Sequence, residues 1–330
     1  MRAVVVGAGA VGGRTARQLV SGSGVEHLLV VDRDERRAAA VAGSVGRPAE
    51  AGSPQRSLAT ADADVVVLAL PEDHRPIAEA ALEHGAHVVS LSDDVADVRA
   101  LLALDAEARE RHRSVVVGAG FSPGLTCVLA RHAAGGLDAV EEIHVAKSGT
   151  GGPACARLHH ASLRGPGIDW RDGAWLQRRG GSGRELTWFP DPVSAQDCYR
   201  AAVPEALLLV PAFPGVRRVT ARVARSRRDR LTARLPMLRP PHAEGLLGAA
   251  RVEVRGRRAS TQEVHVLGVV DRPAVAAGAV AAIAAGWAVE GRLARHGAAG
   301  LAELVAEPVD LLRELASCGV KAAAFEGAGG

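Results

Sequence analysis

The sequence is poor in lysine, in aromatic residues and in cysteine patterns that hold metals or form disulfides. Among 330 residues and 40 basic side chains, only Lys147 and Lys321 are lysine, and aromatic residues make up 3%. Four cysteines lie far apart, without a CxxC pair and without a histidine at zinc-ligand spacing. These absences predict a reduced, cytoplasmic protein with no metal site.

Long hydrophobic runs and a strong net charge are absent as well. The longest charge-free runs, 114–130 and 273–289, have seventeen residues each, fewer than the ~20 that a membrane span needs. A net charge of +3 from 40 basic and 37 acidic residues is too balanced for a nucleic-acid binder. We therefore expect neither a membrane nor a nucleic-acid partner. At roughly 150 residues per domain, the length predicts two domains.

A glycine-rich segment follows the first apolar run. Residues 2–6 are typical of a buried strand, G-A-G-A-V-G at 7–12 follows directly, a helical pattern comes next, and a strand at 26–31 ends at an aspartate. This order is the dinucleotide-binding fingerprint, in which glycines admit the pyrophosphate and the acid binds the ribose hydroxyls. The predicted coenzyme-binding residues here are Gly7, Gly9, Ala10, Val11, Gly12 and Asp32.

The choice between NAD and NADP rests on the residues at the end of the second strand. Asp32 should repel a 2′-phosphate, which favours NAD. Arg33, Arg36 and Arg37 follow it closely and are able to neutralise such a phosphate instead. We predict NAD and leave NADP as the alternative.

Strands and helices continue to alternate to about residue 125. Apolar strands at 64–70, 87–91 and 114–117 predict a doubly wound parallel sheet, whose ligands bind beyond the carboxyl ends of the strands. At those ends we expect coenzyme contacts from Ala69, Leu70, Pro71 and Ser92, and substrate contacts from Asp93, Ser122 and Pro123. Asp93 and its neighbour Asp94 suit helix capping equally well.

The segment Gly120-Phe121-Ser122-Pro123-Gly124 matches the nucleophile elbow of serine hydrolases. In that elbow the residue after the serine donates its backbone N–H to the oxyanion. Here that residue is Pro123, which has no N–H. We therefore set a hydrolase aside.

The same stretch carries a resemblance to a known family. The run from Gly118 to Leu125, with Ser122-Pro123-Gly124 within it, resembles a segment of saccharopine dehydrogenase-like proteins, and the strand from His87 to Asp93 resembles theirs too. The resemblance is good over residues 1–130 and patchy beyond. It implies a nicotinamide coenzyme and an amino acid or imine as substrate.

The pattern changes after residue 125. Candidate strands with few helices between them, at 140–146, 185–189, 216–224, 250–255 and 263–270, predict a mixed or antiparallel sheet. An alanine-rich helix from 273 to about 295 should pack back on the first domain. We expect a Rossmann domain at 1–125 completed by 272–330, and an α+β substrate-binding domain at 126–271. Because a sheet with one open face needs cover, we also expect a homodimer.

Oxidation at a C–N bond needs a base that removes the proton of the amine or activates water. Lys147 closes a predicted strand beside a glycine-rich turn and is the first candidate, since a buried lysine shifts its pKa readily. His159 is the second. Arg157, one of several arginines in this stretch, is a candidate clamp for a substrate carboxylate.

Together these features predict an NAD(P)-dependent oxidoreductase that transfers hydride at the C–N bond of an amino acid or its imine. Two alternatives stay open. One is a binding protein that senses NAD(P)(H) without turnover, because a fold alone does not establish catalysis. The other is a reductase that acts on a C=O or C=C bond.

Overall fold

The structure is a computed structural model that describes residues 1–22, 24–53, 62–237 and 240–324. Within these ranges no helix is both long and apolar enough to cross a bilayer. The chain forms two sheets, with helices packed on the first and a cleft between the two.

The first sheet is parallel throughout. Among the described residues it contains seven strands, in the order β15-β6-β5-β4-β1-β2-β3. Their bounds are β1 (Arg2–Val6), β2 (His27–Val31), β3 (Ala49–Gly52), β4 (Val65–Leu68), β5 (His87–Ser90), β6 (Ser114–Val117) and β15 (Gly297–Ala299). Valine and leucine fill the central strands on both faces, as a sheet covered by helices on both sides requires.

Helices connect these strands. They are α1 (Ala10–Gly22), α2 (Glu35–Val45), α3 (Arg75–Glu83), α4 (Val95–Leu102), α5 (Asp105–Glu110) and α6 (Leu125–Ala134). Small residues let α10 (Pro273–Val289) lie directly on α1: a Cβ at Gly278 would come within 2.8 Å of the Cβ of Arg14. Because α10 is buried along almost its whole length, it supports the helix that follows the glycine-rich loop.

The second sheet is mixed. Its main path runs β10-β11-β12-β7-β13-β14-β16, with β8 and β9 attached beside β12; β12 and β7 are parallel and the remaining pairs antiparallel. The bounds are β7 (Ala139–Ser148), β8 (Gly167–Arg171), β9 (Ala174–Arg178), β10 (Glu185–Trp188), β11 (Ala195–Tyr199), β12 (Arg218–Ala224), β13 (Gly248–Arg258), β14 (Thr261–Asp271) and β16 (Ala322–Ala324). The remaining helices are α7 (Pro153–Ser162), α8 (Glu205–Leu209), α9 (Arg227–Leu231), α11 (Leu301–Leu304) and α12 (Pro308–Ser317).

The predicted fold class is confirmed: a doubly wound parallel sheet is combined with a mixed sheet. The carboxyl-terminal part of the chain contributes to both, since β15 extends the first sheet beside β6 and β16 pairs with β14 in the second. Residues 325–330 of the predicted returning segment lie outside the described residues. The sequence did not predict α7, which carries His159 into the cleft.

Candidate functional site

A cleft of about 630 Å³ opens where the carboxyl ends of the first sheet's strands meet β7 and α7. This size and position suit a coenzyme and a small substrate. Most of the predicted site residues line it: Gly9, Ala10, Val11, Ala69, Leu70, Pro71, Asp93, Ser122, Pro123, Lys147, Arg157 and His159. Gly7, Gly12, Asp32, Arg33 and Ser92 lie outside its lining.

The glycine loop between β1 and α1 is shaped for a close ligand. Gly7 has φ +106°, in the region that favours glycine, and a Cβ there would collide with the carbonyl group of Ala69. A Cβ at Gly12 would overlap the carbonyl oxygen of Gly7. Gly9, by contrast, faces open space, with no atom within 4 Å of a Cβ position. Gly7 and Gly12 thus form the turn, Gly9 leaves room for a ligand, and the first-turn amides of α1 favour its negative charge.

Asp32 buttresses this loop from the end of β2. Its Oδ2 accepts a hydrogen bond from the backbone N–H of Ala8 at 2.7 Å, and its Oδ1 accepts one from Asp34 at 2.9 Å. A carboxylate has about four acceptor positions, so these bonds leave capacity for a ribose hydroxyl. Arg33 is exposed and pairs with Glu72 at 2.8 Å, whereas Arg17 and Arg37 line the cleft. Arg17 and Arg37 are therefore better placed than Arg33 to bind the 2′-phosphate of NADP.

Lys147 is buried at the end of β7 with an acidic partner that sequence reasoning missed. Its Nζ donates to the carbonyl oxygen of Ser122 at 2.7 Å and lies 3.3 Å from Oε1 of Glu205. Glu205, on α8, is 1% exposed and also accepts a hydrogen bond from the hydroxyl of Ser122 at 2.8 Å. These contacts are those of an ammonium group that fixes the Ser122-Pro123 segment of the cleft wall. The predicted role of Lys147 as a base stays a prediction, and the geometry favours a positioning role.

Breaking this ion pair should destabilise the fold. We expect Glu205→Gln to lower the free energy of unfolding by about 3–5 kcal/mol, because it leaves a buried ammonium without its counter-charge. The double variant Lys147→Met, Glu205→Gln should recover part of that loss. Urea denaturation of the wild type, both single variants and the double variant measures the coupling. Additive effects of the two substitutions would contradict a stabilising pair.

Asp93 and His159 form a second polar contact within the cleft. Asp93 follows β5, and its Oδ2 lies 2.5 Å from Nε2 of His159 on α7. The neighbouring Asp94 caps α4 by accepting hydrogen bonds from Ala96 and Asp97. The two functions that the sequence left open for these aspartates are therefore divided: Asp94 caps the helix, and Asp93 is free to bind the histidine.

Cys155 joins this pair one helical turn before the histidine. Its Sγ lies 3.7 Å from Nε2 of His159, and the spacing of four places both side chains on one face of α7. Among the described residues, Nδ1 of His159 has no hydrogen-bond partner. A proton on Nδ1 would therefore form no hydrogen bond within the described residues. The charges of Cys155 and Asp93 then determine which protonation state of His159 is favoured.

The charges of the three groups oppose the effect of burial. Burial alone would raise the pKa of Asp93, but the charge and hydrogen bond of His159 outweigh it and lower this pKa to about 2. Burial would lower the pKa of His159, yet the charges of Cys155 and Asp93 raise it. Burial would raise the pKa of Cys155, but the charge of His159 lowers it below the usual value. The arrangement thus favours an imidazolium between two anions.

The same three residues are a candidate set of metal ligands, because one ligand atom from each lies within 4.8 Å of the others. The sequence predicted no metal site, and spacing along the chain does not reveal a set that includes Asp93. A tetrahedral zinc ion would hold nitrogen and oxygen ligands about 3.3 Å apart. The 2.5 Å between His159 and Asp93 matches a shared proton better.

Comparison with known proteins agrees with the predicted coenzyme-binding side of this site, which is built around the glycine loop. Residues 1–121 match the family model described as an oxidoreductase family with an NAD-binding Rossmann fold (GFO_IDH_MocA). The match covers the glycine loop and the parallel sheet around it, and the predicted coenzyme, NAD, is confirmed at the level of this Rossmann domain.

Solved structures extend the likeness over both sheets. Apo saccharopine dehydrogenase (L-Glu forming) from Saccharomyces cerevisiae is 16% identical, with 98% of this chain and 99% of that chain covered and a TM-score of 0.71. GenD2 from gentamicin A biosynthesis, solved with NAD, is 17% identical, with 99% and 97% covered and a TM-score of 0.50. At these identities the likeness concerns the fold. It confirms the resemblance to saccharopine dehydrogenases at that level.

Proposed function

We propose that this chain, whose first 121 residues match an NAD-binding oxidoreductase family, is an NAD-dependent dehydrogenase that acts at the C–N bond of an amino acid or its imine. The observation that carries the proposal is the meeting of two features in one cleft. The open side of the glycine loop at Gly9 and the Asp93–His159 pair line the same cavity. The bound coenzyme supplies the hydride acceptor or donor, and the chain supplies orientation and proton transfer.

The proton transfer is assigned to the Asp93–His159 pair, in which Nε2 of His159 and Oδ2 of Asp93 lie close enough to share a proton. An amine must lose its proton before hydride leaves the adjacent carbon, and water must lose one before it adds to the resulting imine. Histidine side chains suit both steps, because an imidazole accepts and releases a proton more readily around neutral pH than most other side chains do. Asp93 orients the ring and stabilises the imidazolium that forms. The buried Lys147–Glu205 pair keeps the neighbouring wall in place through Ser122.

Arg157, at the rim of the cleft, is the proposed binding group for a substrate carboxylate. Arg157 lies two residues before His159, is exposed, and lines the cleft. A planar guanidinium binds a carboxylate through two parallel hydrogen bonds. Because Arg157 and His159 both line the cleft, one amino acid would contact the first through its carboxylate and the second through an amine.

Matched substrate panels test the proposal. Calorimetry with NAD⁺, NADH, NADP⁺ and NADPH establishes the coenzyme first. Formation of reduced coenzyme, followed by absorbance, then compares amino acids with the 2-hydroxy acids of the same side chain. We expect turnover with amino acids and little with hydroxy acids. Turnover with hydroxy acids alone would move the reaction to a C–O bond, and tight coenzyme binding without any turnover would favour a sensor.

A homodimer through the second sheet is part of the proposal. Trp175 on β9 and Leu186 and Trp188 on β10 are 44%, 57% and 64% exposed, and burying such side chains against a second copy would be favourable. We expect sedimentation equilibrium to give twice the chain mass at micromolar concentration. The double variant Leu186→Ser, Trp188→Ser should shift the equilibrium toward the monomer, and a monomeric wild type would contradict the assembly.

A further inference from the structure

We infer that Cys155 is a nucleophilic thiolate, held as an ion pair with His159, that adds to the carbonyl carbon of an aldehyde bound in the cleft. The proposed dehydrogenase uses His159 and Asp93 for proton transfer, and Cys155 contributes to it only through its charge. The cysteine nevertheless lines the same cavity and approaches the histidine to 3.7 Å. The cleft would thus bind an aldehyde covalently, in addition to the proposed hydride transfer.

Position on α7 favours the thiolate. The helix begins at Pro153, so Cys155 lies in its first turn, where unpaired backbone amides stabilise negative charge. The backbone N–H of Gly151 and the side chain of His159 both interact favourably with the sulfur. Cys155 is also partly exposed to the cavity, so a small electrophile can reach it.

Charged groups reach this sulfur from several elements. His159 lies on α7 together with Cys155, and Asp93 lies in the segment after β5. The positive charge of Lys147, at the end of β7, acts on both His159 and Asp93. The guanidinium of Arg225, just beyond β12, adds a further positive charge near the thiolate. Asp93 opposes the anion, as burial does, but its own hydrogen bond to His159 keeps the imidazolium in place.

The other cysteines lack this environment. Burial raises the pKa of Cys127 to about 12 and that of Cys198 to about 11. Burial also raises the pKa of Cys318, which is only partly buried. Cys318 is therefore the matched control: it is similarly exposed but has no histidine partner among the described residues.

The covalent step is a reversible addition. The sulfur forms a bond with the carbonyl carbon, the π bond of the carbonyl breaks, and the resulting oxyanion takes the proton of His159. The product is a thiohemiacetal, and no oxidant or reductant is consumed. The choice of an aldehyde rests on the proposed function, because oxidation of a side-chain amine carried on a CH₂ group gives an aldimine, and hydrolysis of that aldimine releases an aldehyde. The tests below need no coenzyme, so the two proposals can fail separately.

Alkylation tests the thiolate. Wild-type protein is treated with iodoacetamide between pH 5.5 and 10, and the rate at each cysteine is followed by mass spectrometry. We expect Cys155 to react about tenfold or more faster than Cys318 at pH 7, with a midpoint below the ordinary thiol value of 9.0. His159→Asn should raise that midpoint and remove most of the advantage. Equal rates at Cys155 and Cys318 in the wild type would overturn the proposal without reference to any variant.

Carbon-13 NMR tests the aldehyde. Propanal labelled at the carbonyl carbon should give a new tetrahedral-carbon resonance with the wild type and with Cys318→Ser, and none with Cys155→Ser. The same aldehyde should slow alkylation of Cys155. A reactive thiol without this resonance would overturn the aldehyde assignment. Stoichiometric zinc in the purified protein, with alkylation accelerated by a chelator, would overturn the ion pair in favour of a metal site.

Discussion

Replacing Gly12 by alanine is expected to abolish coenzyme binding and to destabilise the protein. The new Cβ would overlap the carbonyl oxygen of Gly7, and both groups belong to the backbone of the tight turn, so no side-chain rotation relieves the clash. Overpacking of this kind costs about 1–3 kcal/mol or more. Thermal unfolding followed by circular dichroism, together with calorimetric titration of NADH, measures both effects.

The substitution Gly9→Ala tests coenzyme binding separately from the stability of the fold. Nothing lies within 4 Å of a Cβ at this position, so the melting temperature should change by no more than about 2 °C. The methyl group would occupy the space through which the backbone approaches a pyrophosphate, and we expect NADH affinity to fall about tenfold or more. Gly43→Ala is the matched control, since it too meets no atom within 4 Å but lies on α2, outside the cleft lining. Unchanged affinity in Gly9→Ala would remove the coenzyme from this loop.

The glycine loop was predictable because its requirements are local. A tight turn between β1 and α1 needs glycine at fixed offsets, and the aspartate that ends β2 follows at a characteristic distance. The central strands of the first sheet were equally clear, since each is a short apolar run buried on both faces. β15 carries no such signal: it consists of a glycine and two alanines, and only its pairing with β6 makes it a strand.

The polar contacts across the cleft could not be predicted from local sequence patterns. Lys147 and Glu205 are far apart in sequence and meet because β7 and α8 converge on Ser122. A glutamate followed by an apolar helical run was the available signal, since Ala206 to Leu209 are all buried. The relation between Cys155 and His159 is different. Their spacing of four was visible in the sequence, but it became informative only once residues 153–162 were known to be helical.

The substitution His159→Asn is expected to lower kcat by about 10²–10⁴-fold, the usual contribution of a general acid–base residue. Asparagine keeps a polar group of similar size near Asp93 but cannot exchange a proton. The predicted pyrophosphate contacts belong to the loop between β1 and α1 rather than to α7, so the NADH dissociation constant should change little. Arg131→Gln is the control, because that arginine lies on α6, outside the cleft lining.

The pH dependence distinguishes proton transfer from mere support of the cleft. The base is active when deprotonated, and the charges of Cys155 and Asp93 raise the pKa of His159 above 6.5. The acid limb of kcat/KM should therefore lie above pH 6.5 and report the three coupled groups together. Asp93→Asn and Cys155→Ser each remove a negative charge, so each should shift this limb to lower pH. A limb that stays in place in both variants would contradict the assignment of His159 as the base, since a group outside the cluster would then control the rate.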